Sequence, residues 1–206
     1  ERIEVTANRR TQSIQEVPYN ISAVSGTELD EGKIIDSTEL LRNIPGATVV
    51  DRGYRNSGVI SGVVIRGINV NSGAQGDVAL SAVSTVAGYV DETPLNANFI
   101  LKDIEMVEVL RGPQGTLFGK NTTGGILNVI RTPVSLNKMG ADLSLTAGDF
   151  GRQDVNGVVQ IPIIEDTLGL KLFAAKVEHD GHVRNTTRNE DVGGDDKTNY
   201  GFTALW

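Results

Sequence analysis

Cysteine is absent from this 206-residue chain, which rules out a disulfide framework and any thiolate metal site within it. Histidine occurs twice, at His179 and His182. On a strand that spacing points the two rings to opposite sides, and no third ligand stands nearby, so they read as surface residues rather than a metal centre. Positive charge is also in deficit. Lys and Arg number 19 against 26 Asp and Glu, a net charge of −7, the opposite of the basic face a nucleic-acid partner requires. Aromatics make up only 5%. No stretch approaches the roughly 18 consecutive apolar residues of a membrane-crossing helix, so any passage through a bilayer has to be made by strands. The N-terminus shows no basic run followed by an apolar one, which suits a chain lacking a signal peptide or already in mature form. No Ser/His/Asp set carries a local signature, so nothing positive supports an enzyme.

Glycine, by contrast, is abundant: 24 residues in a chain that is 39% hydrophobic. That combination favours turns, bulges and β architecture, with enough apolar material for one or two domains with a core. The glycines crowd into Asp103–Asn128, DIEMVEVLRGPQGTLFGKNTTGGILN. Met106, Val107, Val109 and Leu110 form one strand-like run and Ile126, Leu127, Val129 and Ile130 another. Between them lie Gly112, Gly115, Gly119, Gly124 and Gly125, with Pro113 behind the first. Such clustering calls for positive φ or close backbone approach at several points. A phosphate-binding P-loop needs four residues before its Gly-Lys pair and then Ser or Thr. Here three residues separate Gly115 from Gly119-Lys120, and Asn121 follows. The remaining plain reading is a tight hairpin connection without a ligand.

The stretch LRGPQGTLFGKNTTGG closely resembles the plug-domain signature of TonB-dependent outer-membrane receptors. Other segments resemble the same family in the same order: the N-terminal ERIEVTA, ELLRNIPGATVV, the triplet Ile65-Arg66-Gly67, and Val86–Asp91 running into the turn Glu92–Asn96. Glu92 stands where that family usually has glycine, which leaves the turn type open. The resemblance implies an α+β plug over residues 8–136, a small mixed sheet with short helices. It further implies that residues 1–7 are a TonB box, with Glu1, Ile3, Val5, Thr6 and Ala7 offered to TonB of the inner-membrane energising complex. The alternation of Ile3, Val5 and Ala7 with polar neighbours suits a strand added to a sheet edge. Arg66, Glu108 and Arg111 are the expected latch residues, the arginines pairing with carboxylates on a barrel's inner wall.

Local signals fill in the plug. Asn20–Val24 reads as a strand and Thr27–Glu31 as one helical turn. Asp36 stands as an N-cap, with Glu39 three residues on and Leu40, Leu41 and Ile44 as the apolar stripe; Pro45-Gly46 ends the helix. Val63, Val64 and Ile65 form a further strand.

Beyond Thr132-Pro133 the pattern becomes that of antiparallel strands with two unlike faces. Ala141, Leu143, Leu145 and Ala147 alternate with Asp142, Ser144, Thr146 and Gly148, and Val155, Val159 and Ile161 with Asp154, Asn156 and Gln160. Lipid-facing and lumen-facing residues alternate in this way in a transmembrane barrel. Leu168, Leu170 and Leu172 open a third strand whose alternation blurs at Phe173, and Tyr200, Phe202, Ala204 and Trp206 mark one face of a fourth. Residues 137–206 are therefore read as the first strands of an outer-membrane β-barrel, with 165–167 a periplasmic turn and 180–197 an external loop. Four strands cannot close a barrel around a plug, which takes about 22, so the chain is expected to be the N-terminal part of a longer receptor.

The function implied is active uptake across the bacterial outer membrane, with the plug facing the periplasm and no cofactor. The ligand is a scarce small molecule, most often a ferric siderophore or other iron complex. Alternatives within reach of the sequence are a ligand-sensing signalling receptor of the same architecture and an outer-membrane binding or adhesion protein. Ligand contact is expected from the loops Asp51–Ser57 and Asn69–Asp77, through Arg52, Tyr54, Arg55, Asn69 and Asn71. Besides TonB and the ligand, the outer-membrane lipid is the remaining partner.

Overall fold

A computed structural model describes residues 4–6, 10–49, 63–68, 85–95 and 100–206. The described residues fall into two compact units, one ending at Arg131 and the other beginning at Thr132.

The first unit begins with β1 (Glu4–Val5) and β2 (Gln12–Ser13), an antiparallel pair. Next come β3 (Asn20–Ser25), α1 (Gly26–Glu31) and α2 (Ser37–Arg42). β4 (Ala47–Val49) pairs with β5 (Val63–Ile65), and β6 (Val86–Val90) with β7 (Thr93–Pro94). β8 (Ile104–Arg111), the short α3 (Gly115–Phe118) and β9 (Gly125–Arg131) complete it. The main sheet has the order β3-β8-β9-β6-β7. Only β6 and β9 run parallel within it; the other pairings are antiparallel.

Both faces of this sheet are apolar, which is why β8 and β9 read as near-continuous hydrophobic runs. Val107, Val109, Leu127 and Val129 point to one side, where Leu29 of α1, Leu40 and Leu41 of α2, and Val63 and Ile65 of β5 close over them. Leu110 and Ile126 point to the other side and meet Val5, Val17, Tyr89 and Phe118. Tyr89 and Phe118 stack edge to face at 5.1 Å, and the Tyr89 hydroxyl donates to the Phe118 carbonyl.

The local signals act as expected, with refinements. Asp36 caps α2, accepting from the backbone of Thr38 at 2.9 Å and Glu39 at 3.0 Å. Glu39, however, reaches back to the amide of Ile35 rather than that of the cap. A true reciprocal capping box stands one helix earlier, where Ser25 caps α1 and Glu28 accepts from the Ser25 amide and hydroxyl. The Asp91-Glu92 turn is settled by both residues adopting left-handed φ, 46° and 64°, the geometry of a two-residue hairpin. Arg131 fastens it, donating from its amide and Nε to the Asp91 carboxylate at 2.9 and 2.6 Å.

The second unit is built on β10 (Gly140–Ala147), β11 (Gln153–Ile164) and β12 (Leu168–His179). A small hairpin of β13 (Val183–Asn185) and β14 (Glu190–Val192) precedes β15 (Asp195–Leu205). The long strands form an antiparallel sheet in the order β10-β11-β12-β15. Its register aligns Ala141, Val159, Leu172 and Phe202 in one row and Leu143, Gly157, Ala174 and Tyr200 in the next. This face is open: Leu143 and Leu145 are each 70% exposed and Tyr200 82%, the pattern of a surface whose solvent is lipid. The opposite face carries Ser144, Asn156, Ala175 and Asn199 in one row. Phe173 interrupts the alternation because its ring covers Gly201 across the strand pair, where a Cβ would lie 2.7 Å from it. The segment read as a plain external loop contains the β13–β14 hairpin, with Arg184 paired to Asp191 at 3.2 Å.

Two outcomes follow for the first unit. Gly125 has φ 149°, and a Cβ there would sit 2.2 Å from the Leu110 carbonyl oxygen and 3.1 Å from Ile65. Gly125→Ala should therefore destabilise the β8–β9 pair by about 2 kcal/mol or more, read as lost amide-exchange protection from Val107 to Val129. Hydrogen bonds from the Ser25 backbone and hydroxyl hold the Glu28 carboxyl below its ordinary range. A lowered folded value means the stabilisation is present above the unfolded value, about 4.3, and is lost as pH falls through the folded value. The pair is solvent-exposed, so the loss is a few tenths of a kcal/mol at most. Protection of the α1 amides, taken relative to the free-chain exchange rate at each pH, should fall below about pH 4.3, and Glu28→Ala should abolish that pH dependence.

Candidate functional site

The N-terminal segment is docked on the first unit. Val5 is fully buried in the second core cluster, and β1 is held by β2 in the register Glu4↔Ser13, Val5↔Gln12. Beyond it Thr6 donates its amide to Glu108 Oε1, and its hydroxyl reaches the same oxygen at 3.2 Å. The other oxygen, Oε2, accepts from Asn128 Nδ2 at 3.2 Å. Glu108 is 0% exposed. The donors named here are neutral, and a buried carboxylate left without hydrogen-bond donors is costly. Thr6 therefore supplies much of what solvates Glu108, and Glu108 in turn fixes the path of the segment.

Of the residues expected to meet TonB, Val5 and Thr6 are placed in this way; Glu1, Ile3 and Ala7 lie outside the described residues. Glu108 lies buried under the N-terminal segment. Asn128, which sequence reading passed over, is its partner. A signal existed: VEVL and ILNVI each carry one polar residue in an apolar run, and the β8–β9 register sets Glu108 opposite Asn128.

Arg66 and Arg111 gather about the Pro45-Gly46 turn. Arg111 donates from Nη1 to the Pro45 carbonyl and from Nη2 to the Ser22 hydroxyl, both at 2.7 Å, while its Nε is buried with no partner among the described residues. Arg66, in left-handed φ of 54°, donates its amide to Gly46 at 2.9 Å. Its side chain is exposed beside Gly112. Among the described residues no carboxylate pairs with either guanidinium.

The expected ligand residues Arg52, Tyr54, Arg55, Asn69 and Asn71 lie outside the described residues. His179 Nδ1 accepts from the Gly181 amide at 3.2 Å, and the His182 ring meets Phe150 edge to face at 6.4 Å. Among the described residues no group of three or more His, Cys, Asp or Glu could hold a metal ion.

Comparison with known proteins gives this geometry its context. The model of the family described as the TonB-dependent receptor plug domain matches residues 13–126. The pesticin receptor of Yersinia enterocolitica is 32% identical over 198 residues, covering 93% of this chain and 28% of that protein. The vitamin B12 transporter BtuB of Vibrio vulnificus is 32% identical over 154 residues, 75% of this chain and 24% of that one. Among solved structures, the ferric yersiniabactin uptake receptor FyuA from Yersinia pestis shares the fold with a TM-score of 0.76 at 24% identity, over 90% of this chain and 28% of that chain. The alcaligin outer-membrane receptor FauA from Bordetella pertussis gives 0.67 at 20% identity, over 86% and 29%. The chain thus spans about a quarter of the length of these relatives. With the family's model matched from the end of β2 to the start of β9, and antiparallel strands of the barrel following it, the chain belongs to the TonB-dependent receptors of the bacterial outer membrane.

Proposed function

We propose that this chain supplies the plug and opening barrel strands of a receptor that imports a scarce ligand by TonB-driven transport, and that the ligand is an iron chelate. The observation carrying the reading is the docked N-terminal strand: an extended, alternating segment held by short-range pairing to β2 and by one buried carboxylate. Such a segment can be exchanged onto another protein's sheet edge without disturbing the main sheet. An iron chelate fits the names of the relatives, among which an uptake receptor for ferric yersiniabactin and an outer-membrane receptor for alcaligin sit beside a transporter for vitamin B12.

In this reading TonB pairs with Ile3–Ala7, and Val5 and Thr6 leave their seats when it does. Arg66 and Arg111 meet carboxylates on the barrel wall. Arg66 suits this best, because its side chain is exposed, whereas Arg111 already holds the Pro45 carbonyl and Ser22 within the plug. No covalent chemistry is required.

Val5→Pro removes a ladder donor and is expected to abolish energised uptake while ligand binding persists; transport at the parental rate would remove the TonB-box assignment. Arg66→Ala is expected to leave plug folding unchanged and to raise passive entry of large antibiotics, since a barrel carboxylate loses its partner. A variant that seals as tightly as the parent rules Arg66 out as a latch.

A further inference from the structure

The segment joining the two sequence regions is fastened in a way the uptake reading does not use. Lys171, on β12, is only 2% exposed and donates its ammonium to the main-chain carbonyl of Thr132. Next to it, Gly169 makes room for the same segment: a Cβ there would lie 2.9 Å from Val134, 3.0 Å from the Ser135 carbonyl and 3.2 Å from Leu136. Val134 itself is only 7% exposed. Leu136 accepts from the amide of Asp166, in the β11–β12 turn, at 3.3 Å, and the Ser135 amide donates to the Gln160 side chain of β11 at 3.4 Å. Pro133 holds Thr132 extended.

We infer that Thr132–Leu136 is a load-bearing clamp, in which Lys171 and Gly169 of β12 hold the chain just beyond the plug so that tension applied at the N-terminus stops there. The inference rests on the TonB-driven reading for the source of the tension, though not for the clamp's existence. A pull on the N-terminus travels along the backbone to Arg131 and then to Thr132. Without the clamp it would fall on the first residues of β10 and peel that strand from β11 one hydrogen bond at a time. With it, the force passes through the Thr132 carbonyl and the wedged Val134 into β11 and β12 together. A lysine suits this place. Its ammonium, buried, is strongly disfavoured without acceptors, so it holds the carbonyl as firmly as the carbonyl holds it. Glycine lets the segment lie flush against the strand.

Single cysteines can report on the clamp, because this chain has none of its own. In the whole receptor in its membrane, Val134→Cys is expected to resist a water-soluble maleimide both at rest and during energised uptake, while Val5→Cys becomes reactive during uptake. Adding Lys171→Met, which keeps the side chain's length and removes its donors, should raise Val134→Cys labelling roughly ten- to hundredfold, the scale of one lost buried hydrogen bond. Lys171→Arg should restore protection. Gly169→Val should release the segment by a separate, steric route with Lys171 intact, which keeps the test open if Lys171→Met assembles poorly. Labelling of Val134→Cys during uptake in an otherwise parental receptor would overturn the clamp. Unchanged labelling at rest with both Lys171→Met and Gly169→Val would overturn it as well. Protection at rest is read without transport, so failure of the uptake reading and failure of the clamp give separate results.

Discussion

The first unit depends on a sheet that is apolar on both faces. A sheet with one polar face can leave that face to water, but β8 and β9 send Val107, Val109, Leu127 and Val129 one way and Leu110 and Ile126 the other. Both sides need covering. The helices and β5 cover one. The other is covered by α3, Tyr89 and the N-terminal segment, so a stretch whose proposed role is to be handed to a partner is also part of the core. Burial of Glu108 on that side follows from the same arrangement, and it makes docking of the segment a matter of polar satisfaction as well as apolar contact.

Glycine reconciles this packing with the turns. Gly125 brings β9 against the Leu110 carbonyl closer than any side chain allows, and Gly26 similarly approaches the Ile104 carbonyl, 2.0 Å from where its Cβ would stand. Where the fold uses left-handed backbone without glycine, at Asp91 and Glu92, a neighbouring group holds it: the Arg131–Asp91 pair spans the turn. The same device recurs at Arg66, whose amide is held by Gly46. At both places the left-handed backbone is held by specific hydrogen bonds, two from Arg131 at the turn and one at Arg66.

What the sequence disclosed followed from the range of the interaction. The α2 cap, the strand pair around the glycine cluster and the period-two barrel strands are set by residues within a few positions of one another, and the residues name them. Ser25 and Glu28 form an equally local signal, hidden because Gly26, a poor helix former, stands directly after the cap. Thr6, one partner of Glu108, was beyond reach, since it lies 102 residues away and nothing local marks it. The same is true of Lys171, which in the sequence is one more charge in an alternating strand. Its partner is a backbone carbonyl 39 residues away, and a carbonyl has no residue type to read. Phe173 blurred the strand pattern because its place depends on a glycine in the strand opposite.

Chain order and assembly order also diverge. The barrel strands pair with sequence neighbours, β10 with β11 and β11 with β12, so their contacts are local in sequence. The main sheet of the first unit cannot form until β9 exists, because β8 has β3 on one side and β9 on the other and β6 waits for a parallel partner. The seat of Val5 and Thr6 is made of Leu110, Ile126, Glu108 and Asn128, all from late in that unit. Val5 and Thr6 therefore find their place only after strands that follow them far along the chain, and the same order makes them the first to leave it: the docked segment is the youngest layer of the core that it helps to cover.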